Sequence, residues 1–493
     1  MFNQEFAKRF GLVVGPLCFF ITLFFYHPEG LSKEANAVLA STLWIAIWWT
    51  LEVVPIAVTA LLPIVLFPLT GALGLSETTT SYGHKYIFLF IGGFMLAIAI
   101  EKWNLHKRIA LNIINLLGTN ISKIILGFMV ATAFLSMWIS NTATAVMMLP
   151  IGMAIISQLK DNPDTPGNET IFFGKALMFA IGYAASIGGV ATLIGTPPNL
   201  VLSGILQETY GVEISFMQWM SFGLPISLVL LAICWVYLTR FAFRFEQSEF
   251  PGGKAEIKRL LNQLGPIGFE EKLVLLVFLL TASCWMLRDY ILKPLLPTID
   301  DSIIAIFFGI LLFLLPTKSS KWKRVLHWEE AMKLPWGILL LYGGGLALAA
   351  GFTQSGLAEW IGQQLTSIQN ISLFLLILVL VTSVNFLTEV TSNLATISML
   401  LPVIVPIAVI FDVHPYVLMV GVTVAASCAF MLPVATPPNA IVFGSGYLRI
   451  PDMVKTGIYM NLISIILVVL LTYFVLPLIW NFDITPFPKA FLK

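Results

Sequence analysis

Apolar segments long enough to cross a bilayer recur almost end to end along this chain of 493 residues. A hydrocarbon core of about 30 Å takes roughly 20 apolar residues as a helix. Such spans lie at about residues 11–26, 38–54, 56–72, 86–100, 172–190, 219–239, 273–287, 302–316, 336–352, 414–432 and 456–480. In lipid every backbone polar group must be satisfied within the chain, which segments of this length achieve as helices. The pattern predicts an all-α polytopic membrane protein with about 11 transmembrane helices. Hydrophobic residues make up 58% of the chain and charged residues 11%, against about 25% charged in soluble domains. No stretch is polar enough to fold separately in water.

Two further apolar regions, 121–158 and 371–411, are each interrupted near the middle by a polar cluster, Ser140-Asn141-Thr142 in the first and Thr391-Ser392-Asn393 in the second. A helix over 144–158 would be only about 22 Å long at 1.5 Å per residue, short of a full crossing. Both regions therefore read as re-entrant hairpins. Exposed backbone at the tips is tolerated only against protein or a watery cavity, so each tip points to a site.

With the amino terminus in the cytoplasm and the carboxyl terminus outside, 21 of the 27 Lys and Arg fall inside, as the positive-inside rule expects. The segment 243–272 reads as a cytoplasmic linker between a first half, 1–242, and a second half, 273–493. Those halves repeat. Gly92-Gly93 resembles Gly343-Gly344, Ser140-Asn141 matches Ser392-Asn393, and Gly195-Thr196-Pro197-Pro198-Asn199 matches Ala435-Thr436-Pro437-Pro438-Asn439, in the same order. Gly92 to Asn141 is 49 positions and Gly343 to Asn393 is 50; the later interval is longer in the first half because of a loop insertion around Asp161 to Thr170. An odd number of crossings between the repeats gives an inverted repeat, the plan of secondary transporters with broken helices meeting near the midplane.

The chemistry of such breaks follows from the backbone. Asn141 and Thr142 stand before an apolar helix, where a polar side chain caps the first turn and N–H groups favour anions. Consecutive prolines leave upstream carbonyls without helical donors, and such carbonyls suit a small cation such as sodium. No Asp, Glu, Lys or Arg lies between Lys123 and Lys160, between Lys175 and Glu208, or between Asp412 and Arg449. A dianion entering that region lacks a basic partner, and its desolvation costs at least several kcal/mol unless cations accompany it. Glu389 and Glu52 are expected to cap or pair rather than couple ions.

Other classes fit less well. A net charge of +1 without long charge runs excludes a general nucleic-acid field. Cys18, Cys234, Cys284 and Cys428 lack metal or disulfide spacing, and His27, His84, His106, His327 and His414 sit at span edges, so no cofactor site or catalytic cluster is expected. The amino-terminal apolar run lacks a cleavage site and reads as a retained helix. Glu101 to Gly118 reads as an amphipathic surface helix. An intramembrane enzyme would need a nucleophile with its base, and an ion channel would need a charged ring or carbonyl filter, neither of which the sequence offers.

The paired motifs resemble those of the divalent anion:sodium symporters, which carry dicarboxylates, citrate or sulfate. The likeness extends over nearly the whole chain, and its specific part is Ser140-Asn141-Thr142 with Ser392-Asn393, each followed by a Thr-Pro-Pro-Asn break. It implies a homodimer with a scaffold domain and a transport domain that moves as an elevator. Asn141, Thr142, Asn393, Thr436 and Pro437 would contact substrate carboxylates, beside Ser140, Ser392 and Leu394 of the same motifs, with Thr196 and Pro197 on the opposite wall. One sodium would lie near Ser136, Ser140, Asn141 and Gly195, the other near Thr388, Thr391, Asn393 and Ala435. Leu394 departs from the pattern, replacing a hydroxyl residue found in many relatives. The expectation is a sodium-coupled carrier of C4 or C5 dicarboxylates such as succinate, malate, fumarate or 2-oxoglutarate in the cytoplasmic membrane. Dicarboxylate exchange without obligatory sodium, or citrate or sulfate transport, would use the same cradle.

Overall fold

The computed structural model describes residues 4–117, 120–158, 169–243, 245, 251–318, 323–365 and 371–491. These residues are helical, with no strand among them beyond an isolated bridge between Pro316 and Arg324. The first half runs through α1 (Gln4–Phe25), α2 (Lys33–Leu51), α3 (Ile56–Thr59), α4 (Leu62–Thr70), α5 (Leu75–Thr80), α6 (Lys85–Lys102) and α7 (Leu105–Leu117). It continues with α8 (Ile121–Ser136), α9 (Asn141–Ile156), α10 (Glu169–Val190), α11 (Pro197–Tyr210) and α12 (Phe216–Val236). After α13 (Pro251–Leu264) come α14 (Phe269–Leu287), α15 (Lys293–Leu295), α16 (Asp301–Leu314), α17 (Trp328–Ala331), α18 (Trp336–Gln354) and α19 (Leu357–Leu365). The chain closes with α20 (Leu373–Leu387), α21 (Asn393–Ile410), α22 (Pro415–Ala426), α23 (Pro437–Phe443), α24 (Ile450–Leu470) and α25 (Leu476–Trp480).

Ten of the eleven apolar spans fall mainly on one helix each and 56–72 is split between α3 and α4; among the described residues eight helices are long and apolar enough to cross a membrane. Both hairpin regions fold as helix, short break, helix. α8 and α9 have 16 residues each, about 24 Å by helical rise. α20 has 15, and α21 has 18, about 27 Å and long enough to cross. The insertion read around Asp161 to Thr170 lies mostly outside the described residues, as do parts of the linker. What is described of the linker includes α13, which packs on α7 and α9. Arg108 of α7 fastens it, pairing with Glu271 at 3.0 Å and donating to the carbonyls of Gly265, Leu264 and Pro266.

The cap at the first hairpin differs from expectation in one residue. Ser140 is the N-cap of α9, its hydroxyl accepting from Ala143 N at 3.2 Å, and Asn141 is the first helical residue. With the cap supplied by its neighbour, the Asn141 amide is free to face α8 and α10. The two Thr-Pro-Pro-Asn breaks adopt one backbone shape: Thr196 has φ −140 and ψ 140, Thr436 has φ −141 and ψ 148. In each case the two prolines open the following helix, where their missing N–H leaves nothing unpaired. α10 is buried from Ala176 to Val190 and packs on α8, α9, α12 and α23.

Candidate functional site

The first hairpin tip meets the first broken helix through a knot of oxygen atoms. Ser136, fully buried at the end of α8, donates its hydroxyl to Ala185 O of α10 at 2.7 Å. Asn141 Oδ1 stands 2.5 Å from that same hydroxyl oxygen, 3.2 Å from Ala185 O and 3.3 Å from Gly195 O. The amide oxygen thus faces acceptors on three sides. Turning the amide over presents N–H donors to the same three oxygens and satisfies them all; in either orientation the first tip gathers a hydroxyl, an amide and two backbone carbonyls, neutral hard donors of the kind that suits a small cation.

The second half builds the same knot. Thr388, fully buried, places its hydroxyl 2.6 Å from Asn393 Oδ1 and 3.1 Å from Ala426 O, to which it donates. Ser136 and Asn141 correspond to Thr388 and Asn393, while Ala185 and Ala426 act alike as carbonyl acceptors one register apart, 14 and 13 positions before Asn199 and Asn439. The hydroxyl precedes the Asn by five positions in both halves, as the repeat predicts.

Behind each knot an asparagine spans the break. Asn199 Nδ2 donates to Thr192 O at 2.8 Å and Gly189 O at 3.2 Å; Asn439 Nδ2 donates to Leu432 O and Ala429 O, both at 3.1 Å. The offsets are identical, seven and ten residues back. Carbonyls that the prolines were expected to free are therefore partly taken by the last residue of the same motif. Both asparagines are completely buried.

Other site residues separate by exposure. Thr196 and Thr436 are buried, and Pro197 and Pro437 are partly buried and exposed respectively. Thr142 is exposed, whereas its counterpart Leu394 is 6% exposed and faces the interior. Ser392 heads α21 without a side-chain cap bond. Thr391 turns away from Asn393, bonding Leu387 O at 2.8 Å and the Thr396 hydroxyl at 2.7 Å within its own hairpin. Ala435 is buried and donates its N–H to Leu432 O. A crevice of about 370 Å³ beside the first tip is lined by Ile139, Ala143 and Thr144 together with Glu101, His106 and Lys107. His106 is buried there with Nδ1 3.0 Å from Ile100 O, and burial lowers its pKa below the usual 6.5.

Sequence reasoning missed the carbonyls of Ala185 and Ala426, which carry no side-chain signal, and the crevice. The roles of Asn199 and Asn439 had a signal in the duplicated motif. Glu389 is 3% exposed and, instead of capping a helix, accepts from the N–H groups of Phe430, Met431 and Leu432 in the non-helical stretch between α22 and α23.

Residues 4–481 match the family described as the sodium:sulfate symporter transmembrane region. The chain belongs to that family. Relatives within reach of the symporter sequence include the sodium-dependent dicarboxylate transporter SdcS of Staphylococcus saprophyticus subsp. saprophyticus, 49% identical over 97% of this chain and 93% of the relative. SdcS of Staphylococcus aureus (strain USA300) is 50% identical over 98% of this chain and 94% of its own. Among solved structures, the fold of this symporter-family chain resembles MtrF of Neisseria gonorrhoeae, which illuminates a class of antimetabolite efflux pumps, with TM-score 0.59 and 11% identity over 96% of this chain and 94% of that one. The YdaH transporter of Alcanivorax borkumensis gives TM-score 0.55 and 14% identity over 79% and 85%.

Proposed function

We propose that this chain is a sodium-coupled carrier of C4 or C5 dicarboxylates, working in the cell membrane of a bacterium. The observation that carries the reading is the pair of matching oxygen knots, Ser136–Asn141–Ala185 and Thr388–Asn393–Ala426. Neutral oxygens at two equivalent breaks suit two small cations, and the relatives named sodium-dependent dicarboxylate transporters supply the substrate class. Helices α9 and α21 begin at Asn141 and Asn393, so each offers a positive end to a carboxylate of the dianion. Asn141, Thr142, Ser140 and their counterparts Asn393 and Ser392 then contact carboxylates, with Thr436, Pro437, Thr196 and Pro197 along the breaks. Sodium bound at the knots would neutralise the dianion's charge at membrane depth, since neither hairpin carries a Lys or Arg between Lys123 and Lys160 or between Lys333 and Arg449.

In this reading the halves 1–242 and 273–493 form an inverted repeat, the hairpins and broken helices move together as the transport unit of a homodimer, and the amino terminus is cytoplasmic. Uptake of labelled succinate, malate, 2-oxoglutarate, citrate and sulfate into proteoliposomes tests it. An inward sodium gradient should drive accumulation of the C4 or C5 dianions. Uptake that follows internal dicarboxylate and ignores sodium would replace symport by exchange.

A further inference from the structure

The two oxygen knots lie in different halves of the chain, yet one hydrogen-bonded route joins them. Tyr183 lies on α10 two positions before Ala185, the carbonyl of the first knot. Its hydroxyl, on a side chain 1% exposed, donates to Phe430 O at 3.0 Å. The N–H of the same residue, Phe430, donates to Glu389 Oε1 at 2.7 Å. Glu389 directly follows Thr388, the hydroxyl of the second knot. Its carboxylate also accepts from Met431 N at 3.0 Å, Leu432 N at 2.9 Å and Asn461 Nδ2 at 2.7 Å.

The first half has no such clamp. Met137 stands where Glu389 stands in the second half, and the equivalent tie runs from the Thr192 hydroxyl to Met137 O at 2.5 Å. A buried carboxylate holding three consecutive peptide N–H groups is a stronger and more directional fixture than one neutral hydroxyl bond. Displacing the second tip therefore displaces the Phe430 peptide, and with it the acceptor of Tyr183 on the helix that carries Ala185. The ring contact between Tyr183 and Phe430, with centroids 4.9 Å apart, stiffens the same joint.

We propose that Tyr183 and Glu389 are positioning residues that couple the two cation knots, so that ordering one knot favours the other. The proposal rests on sodium coupling as read above. Neither side chain touches an ion or the dianion; they act through the Phe430 peptide. Coupling of this kind is reciprocal and shows as cooperativity in sodium.

The test is the sodium dependence of labelled dicarboxylate uptake in proteoliposomes. The parent chain should show a Hill coefficient above unity. Tyr183→Phe keeps the ring and removes the hydroxyl; its Hill coefficient should fall toward unity, with half-saturating sodium raised about threefold to tenfold, the effect of one buried hydrogen bond. The KM for the dianion at saturating sodium should stay within about twofold, because the knots themselves are intact once filled. Glu389→Gln, read in the same way, replaces Tyr183→Phe if that variant fails to reach the membrane. A parent Hill coefficient of unity, an unchanged coefficient in both variants, or a parallel rise in dianion KM overturns the coupling. Uptake indifferent to sodium in the parent would instead overturn the transport reading.

Discussion

Gly189 offers a way to disturb the first knot without replacing any member of it. It lies on α10 opposite the first hairpin tip, and a methyl group added there would sit 2.6 Å from Asn141 Oδ1 and 2.9 Å from its Nδ2. Ordinary contact begins near 3.4 Å, so the amide must retreat by about 0.8 Å. The obstructing atoms are the end of a side chain, so the backbone has no reason to move and Gly189→Ala should fold. Displacing one ligand oxygen by close to 1 Å is the scale of misplacement that costs up to about 100-fold in a positioned site. We expect sodium half-saturation to rise between about 10-fold and 100-fold, while uptake at very high sodium recovers in part. Two neighbours calibrate the result. At Gly188 the added methyl would meet Ala133 O at 2.3 Å and Ala133 Cα at 2.5 Å, both backbone, so Gly188→Ala should fail to accumulate as folded protein. At Gly93 the nearest atom is Ile194 Cδ1 at 3.6 Å, so Gly93→Ala should transport normally. The assay is sodium titration of dicarboxylate uptake beside thermal unfolding in detergent. A well-folded Gly189→Ala protein with parental sodium dependence would refute the role given to Asn141.

Asn199→Ala and Asn439→Ala should each destabilise the protein by about 2–4 kcal/mol, because two buried carbonyls upstream of the prolines lose their donor; Asn→Asp, which cannot donate, should be at least as damaging, and thermal melts in detergent read both. Acidification should weaken the corner between α6 and α7. His106 is held neutral by burial with its pKa lowered, so the unfolded chain takes up a proton below about 6.5 that the folded chain refuses. Its contribution is complete above that pH and is lost as pH falls toward the folded value; melting temperature measured from pH 7.5 to 5 should drop less in His106→Asn than in the parent, all as rough pH settings.

Much of this protein was legible before any coordinates. The apolar spans became helical, 56–72 in two pieces, because a lipid-buried backbone has few ways to satisfy itself. The two tips and two proline breaks were visible because their residue types are unusual in apolar surroundings and occur twice in the same order. Ser136 and Thr388 were placed by the family resemblance, and their equal spacing of five positions before each Asn supported the pairing. Thr391 shows where register ran out: its hydroxyl serves Thr396 inside the hairpin, since side-chain direction at a helix end depends on local packing.

What the chain order settled is the inventory of bends and the neutrality of the residues around them, because hydrophobicity and proline act through local chemistry that any neighbouring sequence reveals. What folding in three dimensions alone decided is which carbonyls complete each knot, how Asn199 and Asn439 reach back across their breaks, and how Tyr183 meets Phe430. Backbone oxygens are identical in every residue, and those contacts join positions as far apart as 247 residues, so only the packing of α10 against α23 and its neighbours selects them.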